Sequence, residues 1–367
     1  MAYIKYLAML IVVMSFLSGC GFKDIDNRIF VTGIGIDPSE KESGEYKITL
    51  KLAIPVSSIK QEKEPSYQYL VHEGENVEEA VRILETHTDK VLEFGHTKII
   101  LINEALLEEE IKDFMDYFVR RGDIQTIAWV AAAKPSAEAI LRTQPEGEAA
   151  VASPLTRFFG STGTESPYIV STYLYEFRRD FHGEGVDPII PIVESNESGT
   201  QLIVNKSVVV KQRKKPLELS SSLTRDYNSL ANSISGYSVK IVTDDLKLVL
   251  NMGTVKMKYK VINDNERPTS IKIDVKMTGV ISQSNKQLPL NNLDKYNKLA
   301  SKEIKGHLEK LLTTLQKEEL DPFGFGLRYR TMQLYDKGTF KKWEEAYPNL
   351  PFDVNVDIAL KSTGTIQ

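Results

Sequence analysis

One thiol stands in this 367-residue chain, and it comes early, in Leu17-Ser18-Gly19-Cys20. A lone cysteine cannot close an internal disulfide, and zinc or iron–sulfur sites built on thiolates need several of them in one chain. Cys20 is left with the chemistry of a single sulfur, which is attachment. The residues before it say what is attached. Lys5 and the free amino group make a short basic start, and Tyr6 to Ser18 carry no charge, the order found in an export signal. The apolar run of about 13 residues would make a helix roughly 20 Å long, short of the roughly 30 Å of a bilayer core. A cleavable leader is expected, not a permanent span.

Aliphatic, small, small, cysteine is the order of a lipobox, which Leu17, Ser18, Gly19 and Cys20 resemble. The small side chains let a signal peptidase reach the backbone. The thiol would take S-diacylglycerol, cleavage would free the Cys20 amine, and that amine would take an N-palmitoyl chain. Each buried methylene contributes about 0.8 kcal/mol of membrane affinity, so two or three acyl chains anchor firmly. Residues 1–19 are thus expected as a lipoprotein signal peptide and 20–27 as a tether. The alternative is an uncleaved signal anchor with an incidental cysteine. No later stretch has 18 consecutive apolar residues, so no second span is expected, and the body belongs outside the cytoplasmic membrane.

Other chemistry is sparse. The five histidines, His72, His87, His96, His182 and His307, form no i, i+4 ligand pair, and no H-E-x-x-H, G-x-S-x-G or Walker loop occurs. His87 and His307 fall near apolar helix faces and are expected to pack there; His182, near Asp180 and Glu184, is expected in a solvated loop. "GIGID" from Gly33 lacks the third glycine of a dinucleotide fingerprint and reads as a bulge within a strand. "DPFGFGLRYR" from Asp321 reads as a helix stop and tight turn pinned by Phe323 and Phe325, with no lysine and serine to hold a phosphate. No catalytic residue, metal or cofactor is expected. With 46 basic and 50 acidic residues interspersed and a net charge of -4, nothing predicts a nucleic-acid surface.

The elements around these residues point to an α+β chain of several mixed or antiparallel sheets flanked by helices. "RIFVTGIGID", "EYKITLKLAI" and "SYQYLVHE" read as strands; Tyr46, Ile48, Leu50, Leu52 and Ile54 alternate with Lys47, Thr49, Lys51 and Ala53, as a half-buried strand does. Asn76 with Glu79 makes a capping-box start for a helix bearing Val77, Ala80, Ile83, Leu84 and His87 on one face. "TKIILI" and "IQTIAWVAAA" read as buried strands, with a helix between them carrying Leu107, Ile111, Phe114, Met115 and Phe118, and Ser136 caps another. Residues 143–188 are rich in breakers but hold a helix packing Tyr173, Leu174 and Phe177. "PIIPIVE" and "TQLIVNKSVVVKQ" resume strand character. Long antiparallel strands follow residue 236. Then comes the longest helix, Asn292 to Leu320, with a stripe of Leu293, Tyr296, Ala300, Ile304, Leu308, Leu311 and Leu315. Phe352, Val354, Val356 and Ile358 mark a closing strand. The expected division is 28–195, with a further break near 143, and 200–367.

The blocks "GCGFKDIDNRIFVTGIGID", "FGHTKIILINEALLEEEIKDFMDYFVRRGDIQTIAWVAAAK", "GVDPIIPIVE", "DPFGFGLRYR" and "WEEAYPNLPFDVNVDIALKSTG" resemble, in order, those of the Ger(x)C family. The match falls on Cys20, Asp321 to Gly326, Trp343, Val354, Val356, Ile358 and Gly364; "LELSSSLTRDYNSLANSISG" fits less well. The resemblance implies a three-domain α+β lipoprotein, the C subunit of a spore nutrient germinant receptor. It would sit on the outer face of the inner spore membrane with A-type and B-type integral membrane partners, and no catalytic residues are implied. The competing readings are a solute-binding lipoprotein of a transporter and an extracytoplasmic hydrolase. The long antiparallel strands oppose the two doubly wound lobes that the first would show.

Overall fold

The structure, a computed structural model, describes residues 3–6, 27–40, 46–53, 67–108, 111–143, 154–159, 166–333 and 338–362. Leu17, Ser18, Gly19 and Cys20 lie outside the described residues, as does Gly364.

Two sheets carry the chain. The first is built from β1 (Arg28–Pro38), β2 (Tyr46–Ala53), β3 (Tyr67–Gly74), β4 (Val91–Glu93), β5 (Ile99–Asn103), β6 (Trp129–Lys134), β7 (Ile189–Ser195), β8 (Leu202–Val209) and β9 (Leu217–Leu219). Their order is β3-β2-β1-β5-β6-β7-β8-β9, with β4 beside β1. The centre, β1, β5, β6 and β7, is parallel, and the flanks are antiparallel. Parallel strands are covered on both faces and read as continuous apolar runs, which is why "IILI" and "VAAA" show no alternation. Helices α1 (Val77–Leu84) and α2 (Ile111–Arg120) cover the face bearing Ile100, Ile102, Val130 and Ala132. Helix α3 (Ala137–Arg142), with Leu155 and Phe159, covers the face bearing Ile99, Leu101, Ala131 and Ala133. Helix α4 (Leu174–His182) joins α1 and α2.

Local signals account for the helix ends. Asn76 Oδ1 accepts from the Glu79 amide at 2.9 Å, and Ser136 Oγ accepts from the Ala139 amide at 3.1 Å. The register shift between Val31 and Gly33 is the expected bulge. Strand β2 departs from expectation. It is not half-buried: Thr49 and Lys51 are buried along with the apolar set, because α3 packs over that face as well. The Lys51 Nζ donates to the Leu141 carbonyl at 3.1 Å, at the end of α3, and lies 4.3 Å from the centre of the Tyr67 ring.

The second sheet follows the order β10 (Tyr237–Val242), β11 (Lys247–Asp264), β12 (Arg267–Ser284), β13 (Phe352–Leu360). The first three are antiparallel, and β13 runs parallel to β12. Helix α5 (Ser221–Asn232) precedes it, and α6 (Leu293–Lys317) lies on one face. The α6 stripe of Tyr296, Ala300, Ile304, Leu308, Leu311 and Leu315 is buried as expected, joined by Leu312. Each fully buried leucine or isoleucine contributes about 1.5–3 kcal/mol.

The stop of α6 differs from expectation. No glycine ends it. Glu319 takes the left-handed conformation (φ 55°), the Leu320 amide donates to the Leu315 carbonyl at 2.9 Å, and the Glu319 amide to that of Gln316 at 2.9 Å. This is a Schellman stop, three residues earlier than the stripe suggested. Gly324, at φ 72°, instead opens the next helix, α7 (Phe325–Met332), which α8 (Thr339–Ala346) follows. Strands β8 and β9 extend the first sheet to Leu219. Val170, Ile189, Val209 and Leu219 share one core with the second sheet.

Candidate functional site

Cys20, the expected attachment residue, lies outside the described residues, so the geometry on view belongs to the second block singled out by the sequence, Asp321 to Gly326. Asp321 is 4% exposed. Its Oδ2 accepts from the Gly326 amide at 2.7 Å, closing the turn on itself at the start of α7. The same residue reaches back across 134 positions: its amide donates to Asp187 Oδ2 at 2.7 Å, and the Asp187 amide donates to the Asp321 carbonyl at 3.1 Å. The Leu327 amide then donates to the Gly185 carbonyl at 2.7 Å. Two loops, one leading into β7 and one leading into α7, are thereby laced together.

Glycine makes the lacing possible. A Cβ on Gly185, whose φ is 88°, would lie 2.4 Å from the Gly326 carbonyl carbon and the Leu327 nitrogen. A Cβ on Gly326 would lie 2.5 Å from Trp343 Nε1 and 2.9 Å from Gly185 Cα. Aromatic rings seal the joint. Phe323 stacks on Phe325 at 5.4 Å between centroids, with the Phe325 ring 4.9 Å from that of Tyr259. Tyr227 Oη donates to the Pro322 carbonyl at 3.1 Å and Tyr347 Oη to that of Leu320 at 2.8 Å. Phe323 and Phe325 thus pin the turn as expected.

Burial raises both carboxyls, Asp321 to about 7. Lys211 Nζ, 3.7 Å from Asp187 and 2.9 Å from the Glu319 carbonyl, opposes the rise at Asp187. The Asp321 carboxyl is closed off from solvent; its Oδ2 accepts from the Gly326 amide, and its Oδ1 is buried with no hydrogen-bond partner among the described residues. Chemically the arrangement is a latch that binds two segments of chain. Beside it runs a cleft of 340 Å³ whose walls include Lys211, Lys214, Trp343 and Tyr347.

The histidines are dispersed. His72 and His87 meet edge to face at 5.8 Å, His182 Nε2 lies 3.6 Å from Asp116, and His307 sits between Glu303 at 3.5 Å and Arg225 at 3.4 Å. His87 is exposed, not packed, because α1 ends at Leu84 and a tighter turn carries it outward. His307 is only partly buried, on the flank of the α6 stripe. Among the described residues no group of three or more His, Cys, Asp or Glu could hold a metal ion, and no helix is long and apolar enough to cross a membrane. Sequence reasoning gave Gly185 and Asp187 no role of their own: they stand in the breaker-rich residues 143–188 and open the block "GVDPIIPIVE", which entered only through the family resemblance. It also missed the buried pair Arg225 and Asp226 of α5. There the guanidinium donates to Asp226 Oδ1 at 2.7 Å and to the Ser238 carbonyl at 2.9 Å, tying α5 to β10.

These features define a two-sheet α+β protein whose halves are joined through a buried aspartate turn. Residues 21–195 match the spore germination protein N-terminal domain, and residues 205–364 match the spore germination B3/GerAC-like C-terminal domain. The chain is 21% identical over 369 residues to spore germination protein GerQC of Bacillus cereus, covering 97% of this chain and 98% of that one. It is 23% identical over 381 residues to spore germination protein KC of Bacillus subtilis (strain 168), covering 95% and 93%. Its fold is similar to the crystal structure of the GerBC protein, with a TM-score of 0.57 at 17% identity, over 90% of this chain and 97% of that one. The chain belongs to the Ger(x)C family of spore germination proteins.

Proposed function

We propose that this chain is the lipid-anchored, non-catalytic C subunit of a spore nutrient germinant receptor. It works with A-type and B-type integral membrane subunits on the outer face of the inner spore membrane. The observation that carries the reading is the pair of family matches, which span the chain in order from residue 21 to residue 364. The first begins directly after Cys20, where a lipoprotein signal peptide of residues 1–19 would be removed. The latch supports a coupling role, because two buried carboxyls, Asp187 and Asp321, each accept from a backbone amide and so tie the two loops together. An acylated body held at a bilayer meets membrane partners at high effective concentration, and a body locked by such a joint transmits displacement from one sheet to the other.

The test is Cys20→Ala in the sporulating cell. The expected result is loss of the chain from the membrane fraction and failure of nutrient-triggered germination. A Cys20→Ala chain that stays in the membrane and supports germination at the parental rate refutes the anchor.

A further inference from the structure

The joint between the two halves is built around a carboxyl group whose surroundings suit an acid better than its anion. The Asp321 side chain is buried. Its Oδ2 accepts from the Gly326 amide, while its Oδ1 has no hydrogen-bond partner among the described residues. Charge on a buried oxygen without a donor is costly, and a group so placed keeps its proton instead. Because Oδ2 needs its lone pair for the Gly326 amide, the proton belongs on Oδ1. Burial holds it there up to about 7, outweighing the amides of Gly326, Phe325 and Gly324, which pull the other way.

No element packed around the turn supplies a counter-charge. The loop into β7 brings Asp187, of like sign, which raises Asp321 further; Glu184 of the same loop pairs with Arg330 of α7 at 3.4 Å. On α4, Asp180 pairs with Arg179 at 2.7 Å. After β8, Lys211 Nζ donates to the Glu319 carbonyl at 2.9 Å and lies 3.7 Å from Asp187, and Lys214 pairs with the Glu319 carboxylate. Arg328 on α7 and Glu344 on α8 are exposed. Three hydroxyls ring the turn: Tyr227 of α5, Tyr259 of β11, and Tyr347 just beyond α8. They donate to the carbonyls of Pro322, Phe323 and Leu320 at 3.1, 3.3 and 2.8 Å. Their protons go to the backbone on either side of Asp321.

We propose that the latch is proton-coupled: it closes with a proton on Asp321 Oδ1 and opens with release of that proton. The proposal rests on the coupling role above and adds what drives it. While the Asp321 to Asp187 and Leu327 to Gly185 bonds hold, Oδ1 stays out of water. Parting the two loops opens the carboxyl to the 340 Å³ cleft beside it, whose walls carry Lys211 and Lys214. Water and ammonium groups there suit the anion. The closed latch keeps its proton up to about 7, and a solvated aspartate only to its ordinary 3.8. Between those values opening sheds one proton and becomes about tenfold easier per pH unit; above them both states are ionised and nothing further changes. Acid thus locks the two sheets together, and a rise toward neutrality frees them.

The experiment is amide hydrogen exchange of the full-length chain in detergent, followed by mass spectrometry from pH of about 5 to about 8 and corrected for the intrinsic pH dependence of exchange. Peptides covering residues 184–189 and 320–328 report the latch. Their protection should fall about 50-fold from pH of about 5 to about 7 and then level off. Helix α1, which takes no part in the joint, is the reference and should not change. Asp321→Asn keeps an acceptor for the Gly326 amide but has no proton to release, so its latch peptides should show no such fall. Asp187→Asn keeps an acceptor for the Asp321 amide and removes the like charge. Asp321 then ionises more readily, and the fall should end at a lower pH.

Latch protection independent of pH in the parent chain overturns the proposal. A fall that survives Asp321→Asn but disappears in Asp187→Asn assigns the proton to Asp187 and overturns it as well. Where Asp321→Asn does not fold, the Asp187→Asn profile decides, and one that coincides with the parent's counts against a proton on Asp321. The purified chain carries no partner subunit and needs no bilayer. A flat profile therefore leaves the subunit reading standing, and failure of the Cys20→Ala test leaves the proton-coupled latch standing.

Discussion

Gly185→Ala tests the latch at its tightest point. The added Cβ would meet the Gly326 carbonyl carbon and the Leu327 nitrogen at 2.4 Å, and both neighbours are backbone atoms that cannot swing aside. The left-handed φ of 88° adds about 1–2 kcal/mol for any residue with a Cβ. Relief requires the two loops to part by about 1 Å, which loses the Leu327 to Gly185 bond, about 1 kcal/mol, and weakens the Asp321 to Asp187 bond, about 1.5–3 kcal/mol with a charged acceptor. The expected loss is about 4–6 kcal/mol, against a total stability on the order of 5–15 kcal/mol. The two tryptophans report separately: Trp129 lies in the first sheet and Trp343 against Gly326. Urea unfolding followed at each, with the other replaced by Phe, should show one shared transition in the parent. In Gly185→Ala the Trp343 signal should unfold first, with that of Trp129 shifted less. Gly122→Ala, where a Cβ meets nothing within 4 Å, is the control. A loss below about 1 kcal/mol with coincident transitions would refute the latch.

Asp321, raised by burial from an ordinary carboxylate to about 7, binds its proton more tightly folded than unfolded. Its ionisation therefore costs stability progressively as pH rises from about 4 to about 7. Asp321→Asn, which keeps an acceptor for the Gly326 amide, should show a flatter stability profile over that window by urea titration; an unchanged slope would contradict the assignment. Lys51, lowered by burial to about 8, prefers the neutral form when folded, so this group contributes rising stability between pH of about 8 and 10.4. Lys51→Met should remove that rise in thermal melts. Leu308→Ala, in the centre of the α6 stripe and 1% exposed, should cost about 2–5 kcal/mol by denaturant unfolding; a cost near zero would mean that α6 does not pack as described.

The elements with strong local signals were legible before any coordinates. The α6 stripe, the Asn76 and Ser136 caps and the long hairpin of β11 and β12 follow from periodicity and side-chain hydrogen bonding, which act over a few residues. What could not be read is long-range. Nothing local pairs β1 with β5 across three intervening strands, or buries Lys51 under α3. The α6 stop eluded reading because a glutamate, Glu319, takes the left-handed position that glycine usually fills. Asp321 to Gly326 stood out through its aromatic and glycine content, but its partners Gly185 and Asp187 lie 134 residues or more away in a segment with no periodicity. The lysines of "KMKYK" and "IKIDVKM" were visible as residues; only the register of β11 against β12 sets them side by side.

The account stands most directly on what is bonded to one sulfur. Intact-mass and peptide mass spectrometry of the chain purified from spore membranes should find residues 1–19 removed and Cys20 carrying a diacylglyceryl thioether with an acylated amine. A free thiol at Cys20, or an intact leader ahead of it, would contradict it.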